Sequence, residues 1–269
     1  MLEIKLAEMG EEIHRFILVE GAFSLQNTPR REQCFPRIAA ANPRIARWMH
    51  KLIYVYDADP IPGRFRYWEA EVHYRDLIGL RGLPRVPGLR RDEDLVLIGD
   101  VDEIFSARFL RFLRFLPRGH PTLMRVDFLW TYYSFAWVNP RPHSINAIAS
   151  VAELDALGGN RTNAIRFNLL GAGQGGVVEV HAPLLVGWHC SWCMPTEAFL
   201  SKMRHLAHRE LNTPKHASLA YLERMRREGL WFAGEEPNGC LQVRQHLQAP
   251  EHALADPVRF EFLLAPRRR

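Results

Sequence analysis

Residues 95–104 read Leu95-Val96-Leu97-Ile98-Gly99-Asp100-Val101-Asp102-Glu103-Ile104, four apolar residues running straight into a glycine and three carboxylates. An apolar run of that length, closed by a turn signal, predicts a buried strand. Carboxylates just beyond it lie at the strand's carboxyl end, where open α/β sheets bind their ligands. Asp100 and Asp102 are therefore the first candidate site. Oxygen ligands of this kind suit a hard divalent ion, Mg or Mn, which keeps positions open for phosphate oxygens. A lone Asp-x-Asp is also an ordinary polar strand end or helix cap, and the apolar strand before it tips the reading towards a site.

Outward from this stretch, short apolar runs alternate with segments of helical period. Phe16–Glu20 and Leu52–Tyr56 read as strands, and 68–80 and 105–116 as helices. That alternation predicts an α/β layer with a mostly parallel sheet of Rossmann type and flanking helices. Residues 122–124, 128–133 and 177–180 read as further strands. Gly158-Gly159 and the glycine-rich run 171–176 read as loops, and 196–211 and 218–228 as helices separated by Pro214. The glycines do not lie between a strand and a helix, so they make no phosphate cradle. Nothing divides the chain, and residues 1–269 are expected to form one domain.

Of the 35 basic residues 31 are arginine, and 30 acidic residues are interspersed with them, leaving a net charge of +5. A nucleic-acid reader gathers its basic residues on one face, so nucleic acid is not an expected partner. Arg108, Arg111, Arg114 and Arg118 recur at three- and four-residue spacing, the signature of a solvated helix face. No apolar run reaches the roughly 18–20 residues that span a bilayer, and Met1–Lys5 has no secretory character. Four cysteines, Cys34, Cys190, Cys193 and Cys240, are too few for a disulfide scaffold of 269 residues. One sequon, Asn160-Arg161-Thr162, bears only on a secretory lumen.

A second cluster is Gly187-Trp188-His189-Cys190-Ser191-Trp192-Cys193, with Glu197 beyond it. Its Cys-x-x-Cys reads as half of a zinc site needing Cys240 and a histidine, as a redox dithiol, or as packing residues or a local bridge beside a pocket lined by Trp188, His189 and Trp192. The last is preferred, because there is no second cysteine pair and no thioredoxin-like context. Trp68, Glu71 and Arg75 fall on one helix face. They form a structural ion pair, or a site in which Glu71 orients Arg75 towards a diphosphate.

The stretch from Leu97 to Ile104, the block from Gly187 to Cys193 with Glu197 after it, the closing Arg259–Leu264 and the opening 6–35 together resemble the family-17 glycosyltransferases. The resemblance runs in order along nearly the whole chain, and its Trp-His-Cys-Ser-Trp-Cys block is specific. It implies a GT-A-like nucleotide-sugar transferase fold and a UDP-GlcNAc donor. It also implies a divalent metal, Mn or Mg, and inverting transfer of N-acetylglucosamine in β-1,4 linkage to a mannose-containing glycan or glycoprotein. Asp100, Asp102 and Glu103 match the family's metal and diphosphate motif, and Trp188, His189 and Trp192 its pocket block. Glu197 matches an acid that follows the block. Animal members carry a membrane anchor, a stem and an extra strand before the segment where this sequence starts, so the chain is expected to lack the anchor and a first strand. A Golgi membrane or lumen is the implied setting if an anchor has been lost, and the cytoplasm otherwise.

On this reading Asp102, helped by Asp100, holds the metal, with His189 either a further ligand or a hydrogen-bonded core histidine. Glu71, Arg75, Glu103, Trp188 and Trp192 surround the donor. Inversion requires one carboxylate to take the acceptor's proton. Glu197 is the candidate, with Glu20, at the end of the first strand, in reserve; either residue would serve equally well as a helix cap. Two alternatives belong to other classes. A degenerate, non-catalytic module would bind nucleotide or glycan without transfer, and a zinc-stabilised interaction domain would hold zinc without nucleotide affinity.

Overall fold

The structure, a computed structural model, describes residues 1–61, 68–116, 123–168, 177–205, 211, 213–216, 218–231, 241–242 and 248–264. The glycine run 171–176, Arg118, Cys240 and the basic end 267–269 lie outside the described residues.

Ten strands are described: β1 (Phe16–Gly21), β2 (Leu52–Asp57), β3 (Leu95–Ile98), β4 (Glu103–Phe105), β5 (Leu123–Tyr132), β6 (Trp137–Val138), β7 (His143–Ser150), β8 (Val178–Val180), β9 (Gly187–Ser191) and β10 (Leu241–Gln242). β1 and β2 pair in parallel. The other eight form a curled sheet around β5, whose first half pairs with β7 and β8 and whose second half pairs with β6 and β9.

The architecture is α/β, as expected, but the sheet is mixed rather than mostly parallel. β5 is parallel to β8 and β9, while β3 with β7, β5 with β7, β5 with β6, and β4 with β9 are antiparallel. Chain length between strands explains this. A parallel crossover needs about a dozen residues or more, usually with a helix, and the ten residues 133–142 hold only the short β6. β7 therefore returns antiparallel and wedges between β3 and β5. The two strands expected at 122–124 and 128–133 are one strand, β5. Arg125 and Asp127 broke its apolar pattern in the sequence, yet they point to partners on and just after β8: Arg125 lies 3.8 Å from Glu179, and His181 bonds Asp127 at 2.8 Å.

The main core gathers Phe105, Phe109, Phe128, Ile148 and Trp188 against the helix Leu2–Met9. The helix Ala107–Leu113 buries Phe109, Leu110 and Leu113 and is capped by Ser106, whose hydroxyl accepts from Phe109 N at 3.1 Å. The loop read at Gly158-Gly159 is the end of the helix Val151–Gly158, which Gly159 closes in the left-handed conformation. A cavity of about 660 Å³ runs between β1 and β3, walled by Phe16, Ile17, Leu95, Val96 and Leu97. Among the described residues no helix is long and apolar enough to cross a membrane.

Candidate functional site

β3 delivers Asp100 and Asp102 into a turn, residues 99–102, that leads directly into β4. Three separate elements hold this turn. From below, Lys5 of the helix Leu2–Met9 donates to the carbonyls of Gly99 (3.4 Å) and Asp100 (2.6 Å). From one side, Arg75 of the helix Glu69–Leu77 grips both oxygens of Asp100, at 3.1 and 2.8 Å, and also lies 3.0 Å from Glu71. From behind, Arg166 of the helix Thr162–Asn168 forks onto both oxygens of Glu103 and comes within 3.6 Å of Asp100. Thr162 fixes that helix to the Arg75 carbonyl, so the hydroxyl of the sequon is spent internally.

These contacts set the charges. Burial works to raise the pKa of Asp100, but the charge of Arg166 and the hydrogen bonds of Arg75 outweigh it, and the carboxyl sits well below the usual range. Burial draws Lys5 down, opposed by Glu103, Asp100 and Asp102. His143, taken out of water and set beside His189 and the Arg166 guanidinium, is held far below the ordinary histidine value and is neutral at pH 7.

The second cluster meets the first because the Trp-His-Cys block is itself a strand. β9 lies between β5 and β4, in a register that sets Glu103 opposite His189 and Ile104 opposite Trp188. Gly187 allows this approach: its φ is 154°, and a Cβ there would run into the Ile104 carbonyl. His189 Nε2 lies 4.0 Å from Asp102 Oδ1 and 3.1 Å from Ser191 Oγ. Its buried Nδ1 has no hydrogen-bond partner among the described residues. The ring stacks on Trp130 (6.1 Å, 5°) and meets His143 edge-on at 3.8 Å.

Cys190 and Cys193 form a disulfide, the local bridge of the preferred reading. The loop it closes holds Trp192 at φ 60°, a strained backbone for a bulky residue. Trp192 stacks on Phe199, and Lys202 reaches over its ring to lie 3.7 Å from Asp102 Oδ2.

Glu103, His143 and His189 each bring a ligand atom within 4.8 Å of the others, a geometry that admits a metal ion. Glu103, however, already spends both oxygens on Arg166. Asp102 is the other carboxylate beside the ring: its Oδ1 lies 4.0 Å from His189 Nε2, the nitrogen that also meets Ser191 Oγ, whereas the unpartnered nitrogen is Nδ1. An ion held by Asp102 and Nε2 would take the place of the Ser191 contact.

Asp100, Asp102, Glu103, Glu71, Arg75 and His189, all read from the sequence, thus come together. Others do not join them. Trp188 is buried in the core and donates to the Gln248 carbonyl at 2.5 Å, and Trp192 packs in a neighbouring core cluster, so neither ring lies open for stacking. Glu20 accepts from the backbone N–H groups of Cys34 (2.6 Å) and Phe35 (2.9 Å) and from the Tyr54 hydroxyl, which makes it a cap for the helix Cys34–Ala41. Glu197 is exposed in the first turn of the helix Thr196–His205. The sequence reading missed Lys5, Trp130, His143, Arg166 and Lys202. Lys202 stood five residues after Glu197 and Trp130 inside the strand read at 128–133, but neither was singled out for a role.

No protein-family model matches the chain, and no solved structure matches it. It is similar to the β-1,4-mannosyl-glycoprotein 4-β-N-acetylglucosaminyltransferases of Homo sapiens, 26% identical, and of Rattus norvegicus and Mus musculus, each 25% identical. Each match covers 98% of this chain and 52% of the relative, so the chain spans about half the length of the curated relatives it matches.

Proposed function

We propose that this chain is the catalytic domain of an inverting, family-17-like glycosyltransferase with a GT-A-like site, which moves N-acetylglucosamine from UDP-GlcNAc in β-1,4 linkage to a mannose-containing glycan. The observation that carries this reading is the Asp100–Asp102 turn at the carboxyl end of β3, facing His189, in a chain similar over nearly its whole length to N-acetylglucosaminyltransferases.

Asp102 and His189 would hold a divalent ion, Mn or Mg, which supplies positive charge to the diphosphate oxygens of the donor. Arg75 and Arg166 fix Asp100 and Glu103, so the turn stays in place as charge develops on departing UDP, and pre-set electrostatics of this kind lower the barrier. Neutral His143 and the Trp130 ring hold the His189 imidazole in position. The acceptor hydroxyl attacks the anomeric carbon from the face opposite UDP and loses its proton to a carboxylate. Glu197, exposed on the helix that also brings Lys202 to Asp102, is the residue proposed for that task.

The test is transfer from UDP-GlcNAc to a mannose-terminated N-glycan, with Mn and with EDTA. A β-1,4-linked product formed only with metal is the expected result. Mn-dependent UDP binding without hydrolysis or transfer would instead identify a non-catalytic binding module.

A further inference from the structure

Among the described residues four carboxylates crowd the turn, Glu71, Asp100, Asp102 and Glu103, and four side-chain cations face them, Lys5, Arg75, Arg166 and Lys202, with the Met1 ammonium also near Asp102. The cations are not equivalent. Arg75 is fixed by two hydrogen bonds to Asp100, Arg166 by two to Glu103, and Lys5 by two to backbone carbonyls beneath the turn. Moving any of these would break the turn itself. Lys202 differs: its side chain is 35% exposed, and its ammonium lies 3.7 Å from Asp102 Oδ2, beyond hydrogen-bond distance. It rests 4.8 Å above the Trp192 ring on a flexible stem.

Asp102 is thus flanked on one oxygen by His189 and on the other by Lys202. A divalent ion seated between Asp102 and His189 would repel the ammonium, and a diphosphate bound beside the ion would attract it. A lysine ammonium is a compact point charge that suits phosphate oxygens without demanding a fixed fork geometry.

We propose that Lys202 is a diphosphate-binding residue that exchanges partners, pairing with Asp102 in the empty site and with the donor's β-phosphate in the filled one. This rests on the nucleotide-sugar reading of the site. In transfer, the bond between the anomeric carbon and the β-phosphate oxygen breaks, its electron pair stays with that oxygen, and Lys202 stabilises the new charge without giving up a proton. Trp192, held in the loop of the Cys190–Cys193 disulfide, keeps the ammonium within reach of both partners.

The experiment compares UDP and uridine binding to the full chain by calorimetry, with Mn and with EDTA, for the parent, K202M and K202R. The expected result for K202M is a loss of UDP affinity of about tenfold or more in both conditions, with uridine affinity unchanged, while K202R stays within about threefold of the parent. UDP affinity in K202M equal to the parent's would overturn the proposal and leave the nucleotide-sugar reading standing. Equal weakening of UDP and uridine would also overturn it, because Lys202 would then only shape the pocket. A parent that binds no UDP in either condition would remove both the reading and the proposal.

Discussion

Arg166 sets its two terminal nitrogens against the two oxygens of Glu103, and both side chains are almost entirely out of solvent, at 1% and 0% exposed. The pair joins the helix Thr162–Asn168 to the first residue of β4. Glu103 also accepts from Asp100 N at 2.6 Å, so the pair sets the backbone of the turn that carries the candidate site. Removing one member of such a pair leaves an uncompensated charge in the interior, at a cost of about 3–5 kcal/mol. Arg166→Met and Glu103→Gln should each lower the unfolding free energy from denaturant melts by that order. The double variant should be less destabilised than the sum of the two. Strictly additive losses in this double-mutant cycle would show that the two side chains act independently.

Asp100 and Asp102 should separate cleanly, although the sequence presents them as one motif. Asp100 is the partner of Arg75 and Arg166, while Asp102, though the less exposed of the two side chains, has only His189 and Lys202 as charged side-chain neighbours within 4.0 Å among the described residues. Asp102→Asn should abolish the Mn-dependent part of UDP binding and change stability by less than about 1 kcal/mol. Asp100→Asn should cost more stability, because the charged fork from Arg75 is lost and Arg75 and Arg166 are each left with one carboxylate, Glu71 and Glu103, where they had two. The folded pKa of Asp100 is depressed, so its contribution is complete above the ordinary aspartate value and fades only as pH falls through the lower folded one. Unfolding curves for both variants at neutral and acid pH, with UDP binding at neutral pH, check this division.

The sequence was legible where one local signal was enough. The apolar run 95–98 ending in carboxylates marked both β3 and the site, and the spacing of Glu71 and Arg75 marked their shared face. It was misleading where a residue's partner is remote. Arg125 and Asp127 read as breaks in a strand because their partners, Glu179 and His181, lie more than fifty residues away. Lys5 and Arg166 lie 95 and 63 residues from the groups they hold, so no local pattern announced them. The block at 187–193 was recognised as a motif but not as a strand, since its tryptophans and cysteines dominated the extended pattern that buries them between β5 and β4.

The Cys190–Cys193 bridge closes a very short loop, for which the chain-entropy model gives a stabilisation of about 2 kcal/mol. Replacing both cysteines by serine should lower the melting temperature accordingly and loosen Trp192, with a modest loss of UDP affinity. Transfer activity should survive, because glycosyl transfer uses neither a thiolate nor a redox couple. A double variant that keeps its fold and UDP affinity yet loses all turnover would assign the sulfurs a chemical role.

Glu3 ties the helix bearing Lys5 to the end of the described chain through Arg259, at 2.7 and 3.0 Å, and through Asn42 at 2.9 Å. Burial acts to raise its pKa, but the hydrogen bonds from Arg259 and Asn42 prevail and bring it down to about 2. A carboxylate with a depressed folded pKa stabilises the protein above its unfolded value, and the gain disappears as pH falls from there to the folded value. Glu3→Gln should therefore cost roughly 1–2 kcal/mol at pH 7, a figure discounted for solvent screening. The gap between parent and variant should close between the ordinary glutamate range and about pH 2. A gap that is constant over that interval in urea melts would assign the loss to packing instead of charge.

Glu197 carries the riskiest role, because it is exposed in the first turn of the helix Thr196–His205, where a carboxylate also favours the helix dipole. The two roles predict different measurements. A base acts on the acceptor hydroxyl in the transition state and contributes little to holding the donor, so Glu197→Gln should reduce the single-turnover rate by about 10²–10⁴-fold with UDP-GlcNAc affinity nearly unchanged. A helix-terminal carboxylate would give a loss of about 0.3–1 kcal/mol in stability and leave the rate alone. Glu20 is a poor substitute for the base, since both its oxygens serve the helix Cys34–Ala41 and its replacement should act on folding first. Transfer by Glu197→Gln at the parent's rate would therefore direct the search to an acid elsewhere around the turn at 99–102.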